Sequence, residues 1–128
     1  MTSVPIRQFF ATFSTASDSL DLAALEHLFA DPFLFADASG SRPVPRSAFL
    51  RALPGRAQTF AAAGLGPALL ESVTETRLDE HYVLARTEWT VPRTAGGAPV
   101  GLASSFLLHE DGGERRIVLY LNHQGLPS

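Results

Sequence analysis

The chain has 128 residues, 45% of them hydrophobic and 18% charged, with a formal net charge of −3. That composition describes one packed globular domain, and excludes both a disordered chain and a protein with the basic footprint of a nucleic-acid binder. Cysteine is absent and all ten basic residues are arginine, which excludes disulfides, thiolate nucleophiles, sulfur-ligated zinc and chemistry that needs a lysine amine.

The first third carries helical periodicity. From Pro5, a favoured first helical residue, Ile6, Phe9, Phe10, Phe13 and Ala16 recur at three and four and mark one apolar face. Asp18 or Asp21 can cap a second helix with Leu22, Leu25, Leu28 and Phe29 as its stripe, ended by Asp31-Pro32. A short extended run, Phe33 to Ala38, leads into a turn-rich segment. A third helix is expected from Pro45 with Phe49, Leu50 and Leu53, broken at Pro54-Gly55, and a further short helix holds Phe60.

The second half changes to a period of two. Leu69 to Leu78, His81 to Val91, Val100 to Glu110 and Arg115 to His123 read as four long strands of an antiparallel meander, joined at Asp79-Glu80, at Gly96-Gly97 and at Gly112-Gly113. Alternation places Val83, Ala85, Thr87, Trp89 and Val91 on one face, and on the next strand Val100, Leu102, Ser104, Phe106 and Leu108. The last strand reads both ways. Ile117, Leu119 and Leu121 look like core, which would turn Tyr120 and Asn122 away from it. Helices followed by a long antiparallel sheet predict a single α+β domain over residues 1–128, with the helices covering one face of a curved sheet. A sheet apolar on both faces further predicts a homodimer through the outer one. No run of 18 apolar residues occurs, and the segment from Met1 to Phe10 lacks the features of a secretory signal. The expected location is therefore cytoplasmic, with no membrane partner.

This order of elements resembles the nuclear transport factor 2-like superfamily over nearly the whole chain. The segment Leu28-Phe-Ala-Asp-Pro-Phe-Leu-Phe-Ala-Asp37-Ala-Ser-Gly-Ser-Arg-Pro43 carries the likeness best, with Gly112 to Val118 entering the last strand. The resemblance implies a cystatin-like α+β roll, a cone-like curved sheet closed by helices around a pocket. Its members include ketosteroid isomerases, SnoaL-like cyclases, epoxide hydrolases and non-catalytic domains. Similarity to the ketosteroid isomerases matches their general base to Asp37, whereas their oxyanion donors fall at Phe13 and near Ser104. A phenyl ring cannot donate a hydrogen bond to an enolate, so an ordinary steroid isomerase is not expected.

The candidate chemistry is accordingly sparse. Asp37 is the candidate base, its carboxyl expected to be raised by desolvation at the mouth of an apolar pocket; Tyr120, Asn122 or Ser104 would supply donors to an oxyanion. The same Asp-Ala-Ser-Gly sequence also suits an Asx turn. Phe13, Phe33, Phe35, Phe60, Thr87, Trp89, Ser104, Phe106 and His123 are the expected lining for a small, flat, apolar ligand, although ordinary core packing accounts equally for the aromatic residues. His27, His81, His109 and His123 have no metal-ligand spacing, so no metal or cofactor is expected. Two functions follow. One is a cofactor-independent isomerase- or cyclase-type enzyme with an aspartate base; the alternative is a non-catalytic ligand-binding or dimerisation domain.

Overall fold

The computed structural model describes residues 5–123. Helix α1 (Ile6–Asp18) buries Ile6, Phe9, Phe10, Phe13 and Ala16, the stripe its spacing predicts. Helix α2 (Leu22–Glu26) begins at Asp21, whose side chain accepts a hydrogen bond from the Ala24 amide at 3.1 Å. It is shorter than expected. Phe29 belongs instead to strand β1 (Phe29–Asp37), which pairs with β2 (Gly40–Val44) in a hairpin across the segment that reads from sequence as a turn. β-branched residues and alternation mark most strands, and β1 has neither, being rich in phenylalanine and carrying a proline.

Helix α3 (Arg46–Ala62) runs unbroken through Pro54-Gly55, where the sequence predicts a break between two helices. Its start is tied to β1 from outside. Asp31 Oδ1 accepts from the Arg46 amide at 3.1 Å, a capping bond supplied by a distant residue, while the Arg46 guanidinium donates to the carbonyls of Glu26 and Phe29 at 3.3 and 3.2 Å.

The remaining strands are β3 (Leu69–Arg77), β4 (Tyr82–Val91), β5 (Val100–Asp111) and β6 (Glu114–Asn122), close to their expected limits. With β1 and β2 the sheet has six strands, in the order β2-β1-β6-β5-β4-β3, and only the β1–β6 pairing is parallel. The meander is therefore part of a larger sheet. Its concave face holds Val83, Ala85, Thr87, Trp89 and Val91 from β4 and Leu102, Ser104, Phe106 and Leu108 from β5, all buried as alternation predicts.

The last strand resolves its ambiguity through a bulge. Leu108 pairs with Ile117 but Leu107 pairs with Leu119, so Val118 is an extra residue that shifts the alternation by one. Ile117 and Tyr120 thus both face the core, at 0% and 7% exposure. Leu119 and Leu121 turn outward, which reverses their expected side.

At the end of the sheet near the β5–β6 turn lies an ion-pair cluster. Glu110 accepts from Arg77 at 2.6 Å and from Arg115 at 2.7 Å, and the Arg115 guanidinium stands 5.7 Å from the centre of the Phe9 ring. Burial alone pushes the Glu110 carboxyl up, but the bonds from Arg77 and Arg115 outweigh it and hold it below its ordinary 4.5. A carboxyl depressed in the folded state stabilises the fold above the unfolded value, and that contribution is lost as pH falls through the folded one. Urea unfolding of the Glu110→Gln variant should show a loss of about 1–3 kcal/mol at pH 7. The variant's deficit should shrink on acidification below about pH 4.5; a deficit independent of pH would show that the cluster's charge is irrelevant.

Candidate functional site

The helices do not seal the concave face. Between α1, α3 and the inner surface of β4, β5 and β6 lies a cavity of about 350 Å³, at the lower end of the range for small-molecule sites. Its walls come from helix positions at helical spacing: Phe13, Ser14, Ser17 and Asp18 on α1, and Phe49, Leu53, Arg56, Ala57, Phe60 and Ala61 on α3. Trp89, Leu102, Ser104 and Tyr120 form the floor.

The polar atoms of that floor are largely engaged with one another. Trp89 Nε1 donates to Thr87 Oγ1 at 2.7 Å, Thr87 Oγ1 donates to the Ser104 carbonyl at 3.2 Å, and Ser104 Oγ donates to Asn122 Oδ1 at 3.0 Å. Tyr120 differs. Its ring is enclosed by Phe13, Phe35, Phe49 and Phe106, with centroids 4.5–6.3 Å away. Yet no described residue bonds its hydroxyl. Among the described residues no fully buried side-chain polar atom lacks a partner. The Tyr120 hydroxyl is therefore not fully enclosed, and Tyr120 lines the cavity.

Two charged groups stand at the rim. Asp18 ends α1 and lies largely in solvent, but partial desolvation raises its carboxyl above the ordinary value. Arg56 is half-buried on α3, with its guanidinium 5.9 Å from the centre of the Phe60 ring. Neither forms an ion pair with a described residue.

The expected site residues divide into three groups. Phe13, Phe60, Trp89, Ser104 and Tyr120 line the cavity. Phe33, Phe35, Thr87 and Phe106 lie behind its surface, packed in the core or against it. Asp37, Asn122 and His123 border a separate, more open depression together with Arg86 and Leu121. There Asp37 Oδ1 accepts from the Ser39 hydroxyl and from the Ser39 amide, the latter at 2.9 Å. Those two bonds hold its carboxyl below the ordinary value, so the expected upward shift is corrected to a downward one. The Asx-turn reading describes its geometry. His123 Nε2 lies 2.9 Å from Ser105 Oγ.

Sequence reasoning misses Asp18 and Arg56. Asp18 reads as a cap, and Arg56 falls beyond an expected helix break. Taken as one helix, Phe49, Leu53, Arg56 and Phe60 follow a three- and four-residue spacing, the signal that puts Arg56 on an apolar stripe. Among the described residues no cluster of three or more metal-ligating side chains occurs, and no helix is long and apolar enough to cross a membrane.

This arrangement of curved sheet, covering helices and an open cavity between them agrees with sequence comparison: residues 3–125 match a family described as NTF2-like protein (DUF6841). The chain belongs to this NTF2-like family. Among solved structures it is similar to an NTF2-like protein with a cystatin-like fold from Novosphingobium aromaticivorans, at 22% identity and a TM-score of 0.74, covering 96% of this chain and 81% of that one. A protein of unknown function with a cystatin-like fold from Nostoc punctiforme is similar at 13% identity and a TM-score of 0.73, over 96% and 94% of the two chains. Aln2 from a Streptomyces species is similar at 18% identity and a TM-score of 0.72, over 93% and 87%. No curated protein matches the chain in sequence. At these identities the likeness establishes the cystatin-like NTF2 fold, which ligand-binding and isomerase-type proteins share.

The raised Asp18 carboxyl carries a stability consequence. A carboxyl raised by folding favours the fold below its unfolded value of 3.8, and that contribution is lost as pH rises through the folded value. Its negative charge at a helix C-terminus adds to the cost at neutral pH. Asp18→Asn should therefore raise the melting temperature at pH 7 and lose that advantage near pH 3; a lower melting temperature at pH 7 would contradict the assignment.

Proposed function

We propose that this NTF2-like protein binds a small, flat, apolar molecule carrying one hydroxyl or carbonyl group, held in the cavity with that group against the Tyr120 hydroxyl. The observation that carries the reading is the accessible, unbonded hydroxyl of Tyr120 on an otherwise apolar floor whose remaining polar atoms bond one another. Such a lone group orients a ligand, because displacing its water without replacing the hydrogen bond costs affinity. Burial of the ligand's apolar body supplies the rest.

Trp89, the single tryptophan, lies on the floor and reports occupancy. Titration with 2-naphthol should shift its indole N–H signal in the nuclear magnetic resonance spectrum. Ala57→Phe, on the cavity-facing stripe of α3, should weaken binding at least about fivefold, while Asp37→Asn leaves it unchanged. A signal that does not move at millimolar 2-naphthol would sink the proposal.

A second reading, proton transfer of the isomerase or cyclase kind, rests on Asp18 and Tyr120 lining one cavity. A carboxylate with a raised pKa can accept a proton beside a carbonyl that a phenol polarises. Asp37 suits that role less well, being bonded to its own turn and outside the cavity lining.

Self-association is the proposed use of the outer face, with a second copy of this chain as partner. Leu84, Leu107, Leu119 and Leu34 pair in register as one row across β4, β5, β6 and β1, and Leu84 and Leu34 are exposed. A contiguous apolar row of this kind favours a self-complementary contact. Sedimentation should give a dimer mass at micromolar concentration and a monomer for Leu84→Glu; a monomeric parent protein would refute the contact.

A further inference from the structure

Arg56 breaks the pattern of its own helix. The face of α3 toward the cavity is Phe49, Leu53, Arg56, Ala57, Phe60 and Ala61, and one guanidinium interrupts an otherwise apolar stripe. Charged residues on buried-facing positions are rare unless a partner compensates them, and departures from the binary pattern concentrate at functional sites. Other half-buried arginines of the described chain have such partners. Arg46 reaches two carbonyls and the Glu26 carboxylate, and Arg115 reaches Glu110. For Arg56 the described contact is the Phe60 ring. A guanidinium laid along an aromatic face keeps its N–H edge free to accept a planar anion in two parallel hydrogen bonds.

We propose that the cavity's ligand is an apolar carboxylic acid, its carboxylate paired with Arg56 at the rim and its hydrocarbon body inside. This rests on the cavity-binding reading above and adds the ligand's charge. The volume of about 350 Å³ corresponds to about twelve water-sized groups, enough for a one- or two-ring acid. The opposite polarity, an amine paired with Asp18, is disfavoured by exposure. Asp18 is solvated by bulk water, whereas Arg56 is half-buried and lacks a described anion. An ion pair gains most where water screens it least. A hydroxyl at the far end of the acid would meet Tyr120.

Calorimetric titration of the full chain with three probes of one shape, 2-naphthoate, 2-naphthol and 2-naphthylmethylammonium, tests this at low and moderate salt. The expected result is that naphthoate binds most tightly, and that Arg56→Met weakens it at least about tenfold while changing naphthol affinity less than threefold. Arg56→Met keeps the apolar stem and removes the charge, so a general loss of folding would register as equal losses for both probes and be seen in the melting temperature. Arg56→Lys should recover part of the naphthoate affinity. Equal affinity for naphthoate and naphthol, preference for the ammonium probe, or naphthoate binding indifferent to Arg56→Met would each overturn the proposal while leaving the cavity-binding reading intact. Binding of none of the three would overturn both.

Discussion

One extra residue in the last strand governs the interior of this protein. Without the bulge at Val118, alternation would put Ile117, Leu119 and Leu121 on the core face and turn Tyr120 outward. With it, Ile117 and Tyr120 both face inward, Ile117 beside Phe29 and Leu108 in the register and Tyr120 beside Phe35 and Phe106. The cavity floor, its accessible hydroxyl and the leucine row on the outer face all follow from that single shift. A core that packed Leu119 in place of Tyr120 would lose the tyrosine hydroxyl from the cavity lining and place a tyrosine among the outer leucines.

The surrounding aromatic residues make the shift tolerable. Phe13, Phe35, Phe49 and Phe106 ring Tyr120 at 4.5–6.3 Å, and edge-to-face and tilted contacts of this kind add to the burial of each ring. A buried tyrosine ordinarily needs a partner for its hydroxyl. Here the hydroxyl meets the cavity. Helix α1, which buries Phe9, Phe10 and Phe13, does not close the sheet over Trp89 and Tyr120, and the space between helices and sheet there is the cavity.

How far the sequence discloses this depends on the physical signal each element carries. Period-two alternation in β4 and β5 is strong because those strands have one buried face, and their limits and inner residues are legible. Helix α1 is equally legible from its phenylalanines. In contrast, β1 lacks alternation because a proline and an irregular stretch separate Phe29 from Leu34, and α3 conceals its continuity behind Pro54-Gly55. The bulge at Val118 leaves no local mark, since Val118 resembles its neighbours and only pairing with β5 exposes it. For the candidate site, Phe13, Phe60, Trp89 and Ser104 are expected as lining and do line the cavity, whereas Tyr120 is expected as a donor with its side of the strand left open. Arg56 and Asp18 are not legible, because local signals assign each to the wrong part of a helix. Asp37 shows the limit of a motif: its position in the sequence suits a base, while its carboxylate is committed to Ser39.

The account's central claim is that the Tyr120 hydroxyl reads a polar group of the ligand on a cavity floor whose other polar atoms bond one another. It is tested most directly by comparing the affinities of naphthalene and 2-naphthol, which share one apolar body, for the protein and for Tyr120→Phe. The account predicts that 2-naphthol binds about tenfold more tightly than naphthalene to the parent protein, the worth of one satisfied buried hydrogen bond, and that this preference disappears in the variant. A preference that survives the loss of the hydroxyl would contradict it.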